Sequence, residues 1–136
     1  MMRAIVGFLC GGLGGAGAGA ILGVPTAFIV LWPDTQGTGS KDGLGLGMMV
    51  VWFFTVLLSA LFGAIGGVVG KSLLGACIGA FLGLLIGLIP FMIMSLSDPP
   101  YVSKSPYRHY AIATPACLTV DGVIVGSLGG AMGFCI

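Results

Sequence analysis

The amino-acid sequence predicts an all-α integral membrane protein, a four-helix bundle made of two tandem glycine-rich helical hairpins. Three observations predict it. Of 136 residues, 57% are apolar and 7% charged, with a mean hydropathy of +1.16, whereas a soluble domain keeps about a quarter of its residues charged. Four apolar runs, residues 4–32, 44–69, 73–96 and 111–136, each reach the length that crosses a bilayer, which is about 20 residues at a rise of about 1.5 Å. Glycines, 26 in all, recur at spacings that line them along helix faces.

The first run, 4–32, follows Met-Met-Arg and resembles a secretory signal at its start. It is longer than a signal core, and three equally apolar runs follow it, so it is expected to stay as an anchor. Leu9 is bulky where a lipoprotein cleavage site before Cys10 needs a small residue. Pro25 lies near the end of this run, and Trp32-Pro33-Asp34 closes it. Residues 33–43 are polar and rich in turn formers, as a loop requires.

Runs two and three are separated only by Gly70-Lys71-Ser72. As one helix, residues 44–96 would extend about 80 Å, far beyond a bilayer. The chain must reverse near Lys71, giving a tight hairpin. A second loop is expected over residues 97–110, with Tyr101, Tyr107 and Tyr110 joining Trp32 in an aromatic belt. Lys41, Lys104 and Arg108 then share one side, opposite Arg3 and Lys71. Three against two sets no orientation, which leaves dual insertion open.

The chain also resembles itself after about 64 residues, so tandem repeats over 1–70 and 71–136 are expected. Gly63, Gly66, Gly67 and Gly70 recur as Gly126, Gly129, Gly130 and Gly133, Pro25 recurs as Pro90, Asp34 as Asp98, and Lys41 as Lys104.

Lipid tails are as apolar as leucine, so helices in a bilayer associate through close van der Waals contact, which small residues permit. Gly75, Gly79, Gly83 and Gly87, each four apart, form one stripe on run three. The GxxGGxxG patterns of runs two and four make a wider stripe. In run one, Gly11, Gly12, Gly14, Gly15, Gly17 and Gly19 leave little side chain on any face. These stripes resemble the glycine-zipper class of membrane helices. They exceed what one small bundle needs, so a homo-oligomer or a subunit of a larger membrane complex is expected, in a bacterial cytoplasmic membrane.

Asp121 is the one acidic residue inside an apolar run. A carboxylate at mid-bilayer costs on the order of 3 kcal/mol, which makes such residues functional by default. It is the ion- or proton-pathway candidate, with Thr119 two residues earlier. The competing expectation starts the fourth helix after Pro115 or Leu118, so that Thr119 or Asp121 caps it at the headgroups. His109, beside Arg108, is expected at the surface of a polar loop. Cys10, Cys77, Cys117 and Cys135 match no metal spacing and are expected to be small buried apolar residues.

Two hairpins in tandem, a glycine-rich first helix and a carboxylate in the last one resemble the duplicated proteolipid c subunits of rotary ATPases. That resemblance implies that Asp121 carries a transported proton or sodium. Run two holds no second carboxylate, and the loop lacks that family's basic-Gln-Pro motif. The early Gly-Gly-Leu-Gly-Gly and the four short helices are similar to the small dual-topology fluoride channels, without their Thr/Ser/Phe-rich pore motif.

No paired nucleophile and base, no metal cluster and no cofactor motif is present, so no enzyme, metal or cofactor is expected. A net charge of +1 offers no footprint for nucleic acid. The expected function is a structural or accessory membrane subunit packed through glycine faces. The alternative is a proton- or ion-conducting oligomer using Asp121.

Overall fold

A computed structural model describes residues 1–31, 41–97 and 105–135. Among these residues are four helices: α1 (Met2–Val30), α2 (Lys41–Val69), α3 (Ser72–Ser97) and α4 (Ser105–Phe134). All four are long and apolar enough to span a membrane, so the chain is an all-α four-helix membrane bundle. Isolated in lipid, each backbone satisfies its own polar groups only as a helix. The apolar runs therefore become helices despite glycine's poor propensity.

The helix ends differ from the expected runs in two places. Residues 41–43 belong to α2 rather than to the preceding loop, and α4 begins at Ser105, six residues before run four. Pro106 is no obstacle to that early start, because the first helical turn has no internal partner for its N–H groups. Trp32, Asp34, Asp98, Tyr101 and Lys104 fall outside the described residues, as do the side chains of Lys41, Pro90, Tyr107, Arg108 and Tyr110.

The reversal near Lys71 is as tight as expected. Gly70 takes φ 63°, and its N–H bonds the Gly66 carbonyl at 3.0 Å, the single closing bond of a left-handed helix cap. A β-carbon in that conformation costs about 1–2 kcal/mol. Gly70→Ala is therefore expected to destabilise the chain by about that amount, measured by denaturant unfolding in detergent.

The most extensive packing lies within the hairpins α1–α2 and α3–α4, and α4 also packs on α2 and α1. The α2–α3 contact is slight, and α3 leans on α4 for most of its support.

The contacts are made by backbone against backbone. On α1 the buried residues include Gly7, Gly11, Gly15, Gly19 and Gly23, a strict four-residue stripe that the crowded glycines of run one conceal. β-Carbons built at Gly7, Gly11 and Gly15 would strike the carbonyl oxygens of Gly67, Gly63 and Ser59. At Gly23 the Trp52 ring covers the gap, and its indole N–H donates to the Ala20 carbonyl at 3.0 Å. In the second hairpin the expected stripe does pack. Gly75, Gly79 and Gly83 meet the carbonyls of Gly126, Gly122 and Leu118, and Gly87 takes the Pro115 ring.

The wide GxxGGxxG stripes serve two neighbours each. On α2, Gly63 and Gly67 face α1, while Gly66 faces Gly126 of α4. On α4, Gly129 and Gly133 sit on Gly63 and Gly67, while Gly130 meets Lys71 and Ser72 at the start of α3. The Gly63 carbonyl thus lies within reach of both Gly11 and Gly129, a junction of three backbones. The stripe glycines of all four helices thus meet atoms of neighbouring helices in the same chain.

The two hairpins pack in matching register. Gly11 on Gly63 in the first corresponds to Gly75 on Gly126 in the second, 64 and 63 residues on, and Gly15 on Ser59 corresponds to Gly79 on Gly122. The glycine pattern of the sequence likewise matches Gly63 to Gly126, 63 residues on.

Large side chains point outward, including Leu13, Ile21, Phe53, Leu73 and Phe81, while among the described residues Phe62 and Val125 are the bulkiest that are fully enclosed. An apolar exterior is what lipid requires. Cys10, Cys77 and Cys135 are exposed too, and Cys117 is half-buried, which corrects the expectation of buried cysteines. Glycine and alanine occupy the interior, and a thiol is too large to stand where two backbones touch.

Candidate functional site: Asp121 at the α1–α4 seam

Asp121 stands in the middle of α4, sixteen residues after Ser105. It caps nothing, and neither does Thr119, so the capping expectation is overturned. The reason is that Pro115 does not start the helix. It is buried inside it, with its ring seated in the space left by Gly87.

The Asp121 side chain is 4% exposed. Thr26 of α1, 5% exposed, donates its hydroxyl proton to Asp121 Oδ2 at 3.1 Å. These residues lie 95 positions apart in the chain. The bond joins the first hairpin to the second in the apolar interior. Among the described residues, no cationic side chain shares the carboxylate.

Two further hydroxyls are buried on α2. Thr55 donates to the Val51 carbonyl at 2.9 Å on its own helix, and Ser59 is buried with no partner for its Oγ. Ser59 faces α1, where Gly15 and Gly19 make room for it. The Gly63–Gly129 and Gly67–Gly133 contacts put α4 66 residues ahead of α2, a register that sets Thr55 level with Asp121.

Thr119 does not join Asp121. Its hydroxyl donates to the Pro115 carbonyl at 2.6 Å, and its Cα abuts Gly83 of α3. Two residues on a helix lie about 200° apart, so Thr119 turns to α3 while Asp121 turns to α1. Ser127 likewise bonds its own helix, at the Ile124 carbonyl.

Thr26 is the residue that the sequence did not single out. A lone threonine in an apolar run carries no signal of its own, and only the fold brings it to the carboxylate. Thr26→Val is expected to leave Asp121 without that donor and to cost about 1–3 kcal/mol. Thr26→Ser should restore most of the loss. Unfolding midpoints in detergent would measure both.

His109 also departs from expectation. It lies in α4, half-buried, with Nε2 2.8 Å from the Ile29 carbonyl of α1. A carbonyl only accepts, so Nε2 carries the proton. Ile29 has need of such a donor: it lies in the last turn of α1, where the carbonyls have no partner within the helix. Thr26–Asp121 and His109–Ile29 are thus two polar fastenings along one seam.

Fold and site together define a class, an integral membrane bundle with an intramembrane carboxylate held between its two hairpins. Comparison of the chain with family profiles, curated proteins and solved structures finds no match to narrow that class.

Proposed function

We propose that the protein binds and passes a proton or small monovalent cation across the membrane through Asp121, with Thr26 positioning the carboxylate. The observation that carries this reading is the buried bond from Thr26, near the end of α1, to Asp121 at the middle of α4. An acidic group in hydrocarbon is expensive, and such groups mark ion pathways and proton relays. A carboxyl with one hydroxyl donor and, among the described residues, no cationic partner is free to exchange a proton or to share its oxygens with a cation. A gradient across a bacterial cytoplasmic membrane, the compartment expected from the sequence, would supply the driving force.

The test is reconstitution. Purified chain in lipid vesicles is expected to dissipate an imposed pH or sodium gradient, followed by an internal dye. Vesicles that hold either gradient as tightly as protein-free ones would rule the reading out.

A structural or accessory subunit is the second reading. The glycine zippers no longer favour it, because they are occupied within the chain. Gly17 and Gly45, which meet nothing within 4 Å, do favour it, since an open glycine in a helix gives up about 1 kcal/mol against alanine for no internal contact. On this reading Gly17→Leu reduces the size of the particle extracted in mild detergent, as read by light scattering. An unchanged size would remove its support.

A further inference from the structure

We infer that Thr55 and Ser59 of α2 complete, with Thr26 and Asp121, a binding site for a sodium-sized monovalent cation at the junction of α1, α2 and α4, a proposal that rests on the ion-binding reading above. Among the described residues these four are the buried polar side chains, and they come from three different helices. Their placement follows from the packing. On α2, Thr55, Ser59, Gly63 and Gly67 recur every four residues, and on α4 so do Asp121, Val125, Gly129 and Gly133. Gly129 sits on Gly63 and Gly133 on Gly67. The same register carries Ser59 to the level of Val125 and Thr55 to the level of Asp121. Thr26 reaches the carboxylate from α1.

Ser59 is the member that packing does not explain. It is 1% exposed, and its Oγ has no hydrogen-bond partner, a loss that alanine in the same space would avoid. Gly19 clears the room for that hydroxyl, since a β-carbon there would come within 2.7 Å of it. Each Cα–Cβ bond tilts toward the N-terminus of its helix, so Ser59 leans from its own level toward Thr55 and the carboxylate. Thr55 gives its proton to the Val51 carbonyl and Thr26 gives its proton to Asp121, which leaves oxygen lone pairs on both as ligands. Hard cations take oxygen ligands, and one carboxylate with three hydroxyls offers only those. The charge count selects a monovalent ion. One positive charge beside one carboxylate makes a neutral pair in hydrocarbon, whereas a divalent ion leaves a charge uncompensated. The helices around the site touch through glycine backbone, so the junction suits a small cation stripped of its water.

The experiment reads binding without reading transport. The intact chain in detergent is unfolded at one fixed pH and ionic strength while sodium chloride replaces choline chloride. A ligand held by the folded state alone raises the unfolding midpoint, so sodium is expected to raise it saturably, and potassium far less at the same concentrations. Asp121→Asn should abolish the rise. Ser59→Ala separates the site from a packing role. Its midpoint in choline chloride should match or exceed that of the unaltered chain, because an unpaired buried hydroxyl is gone, while the sodium needed for half the rise increases several-fold. Ser127→Ala, at a hydroxyl bonded to its own helix, should keep the full response. No sodium response in the unaltered chain, an equal one with potassium, or an unchanged one in Ser59→Ala would overturn the site. Proton flux in vesicles without any sodium response would keep the transport reading and defeat the site. A sodium response in a chain that passes no ion would do the reverse, so the two failures are distinguishable.

Discussion

Gly63→Leu is expected to separate the helices of the chain, with a loss of at least about 3 kcal/mol, the upper end of ordinary overpacking. In most cores an added methyl finds side chains that can turn aside. At Gly63 the obstacle is the Gly11 carbonyl, with the Gly15 Cα 2.8 Å from the added carbon, and backbone atoms have nowhere to rotate. The Gly63 carbonyl also meets the space over Gly129, so displacing α2 from α1 disturbs α4 as well. The close approach that is lost supported van der Waals contact and Cα–H···O contacts worth about 0.5–1 kcal/mol each. Gly17→Leu, facing open space, is the matched control for the larger side chain. Detergent-denaturation midpoints and helix content by circular dichroism would compare them. Equal midpoints would show that the three-backbone junction does not limit stability. By the same reasoning Gly66→Leu and Gly129→Leu test the fold of the chain, since both strike backbone within it.

Asp121→Asn is expected to bring ion flux in vesicles down to the protein-free background while leaving the fold intact. Asparagine keeps the shape of the side chain and an oxygen to accept the Thr26 hydroxyl, so the link between hairpins survives. It cannot gain or release a proton, and it offers a cation no negative charge. Removing a buried ionisable group also removes the cost of desolvating it, so the variant should be at least as stable as the parent. Flux and unfolding midpoint measured on one preparation separate a lost carboxylate from a lost fold. Wild-type flux in Asp121→Asn would sink the ion-pathway reading.

The four spans were legible in the sequence because bilayer thickness sets a length that each apolar run had to meet. The reversal at Gly70-Lys71 was legible because one helix there would have been far too long. The α3 stripe could be read because its glycines keep the four-residue spacing without competitors. The α1 stripe could not, since Gly12, Gly14 and Gly17 obscure Gly7, Gly11, Gly15, Gly19 and Gly23. The run from Gly7 to Gly23 at constant spacing was the available signal. The onset of α4 was misread because Pro106 and Pro115 are breakers by the rules of water. In this bundle Pro106 falls in the first turn, and Pro115 fills a hole left by a glycine on the next helix. Asp121 stood out by charge alone, but its partner did not. Nothing local connects Thr26 to a carboxylate 95 positions away, and only the antiparallel course of α1 and α4 brings them together.

The position of α4 has a consequence for biogenesis. Synthesis delivers α1 and α2 to the bilayer first, and these two can zip together at once through Gly7, Gly11 and Gly15. Until α4 is made, however, the sides of Gly63 and Gly67 that receive Gly129 and Gly133 face lipid, and Thr26 has no carboxylate to meet. α3 arrives with little to hold it, since its main support is also α4. Insertion and assembly are therefore separate events in this protein. The newborn chain passes through a stage with its helices across the membrane and its interior still open, and the fourth helix closes all three interfaces in one step.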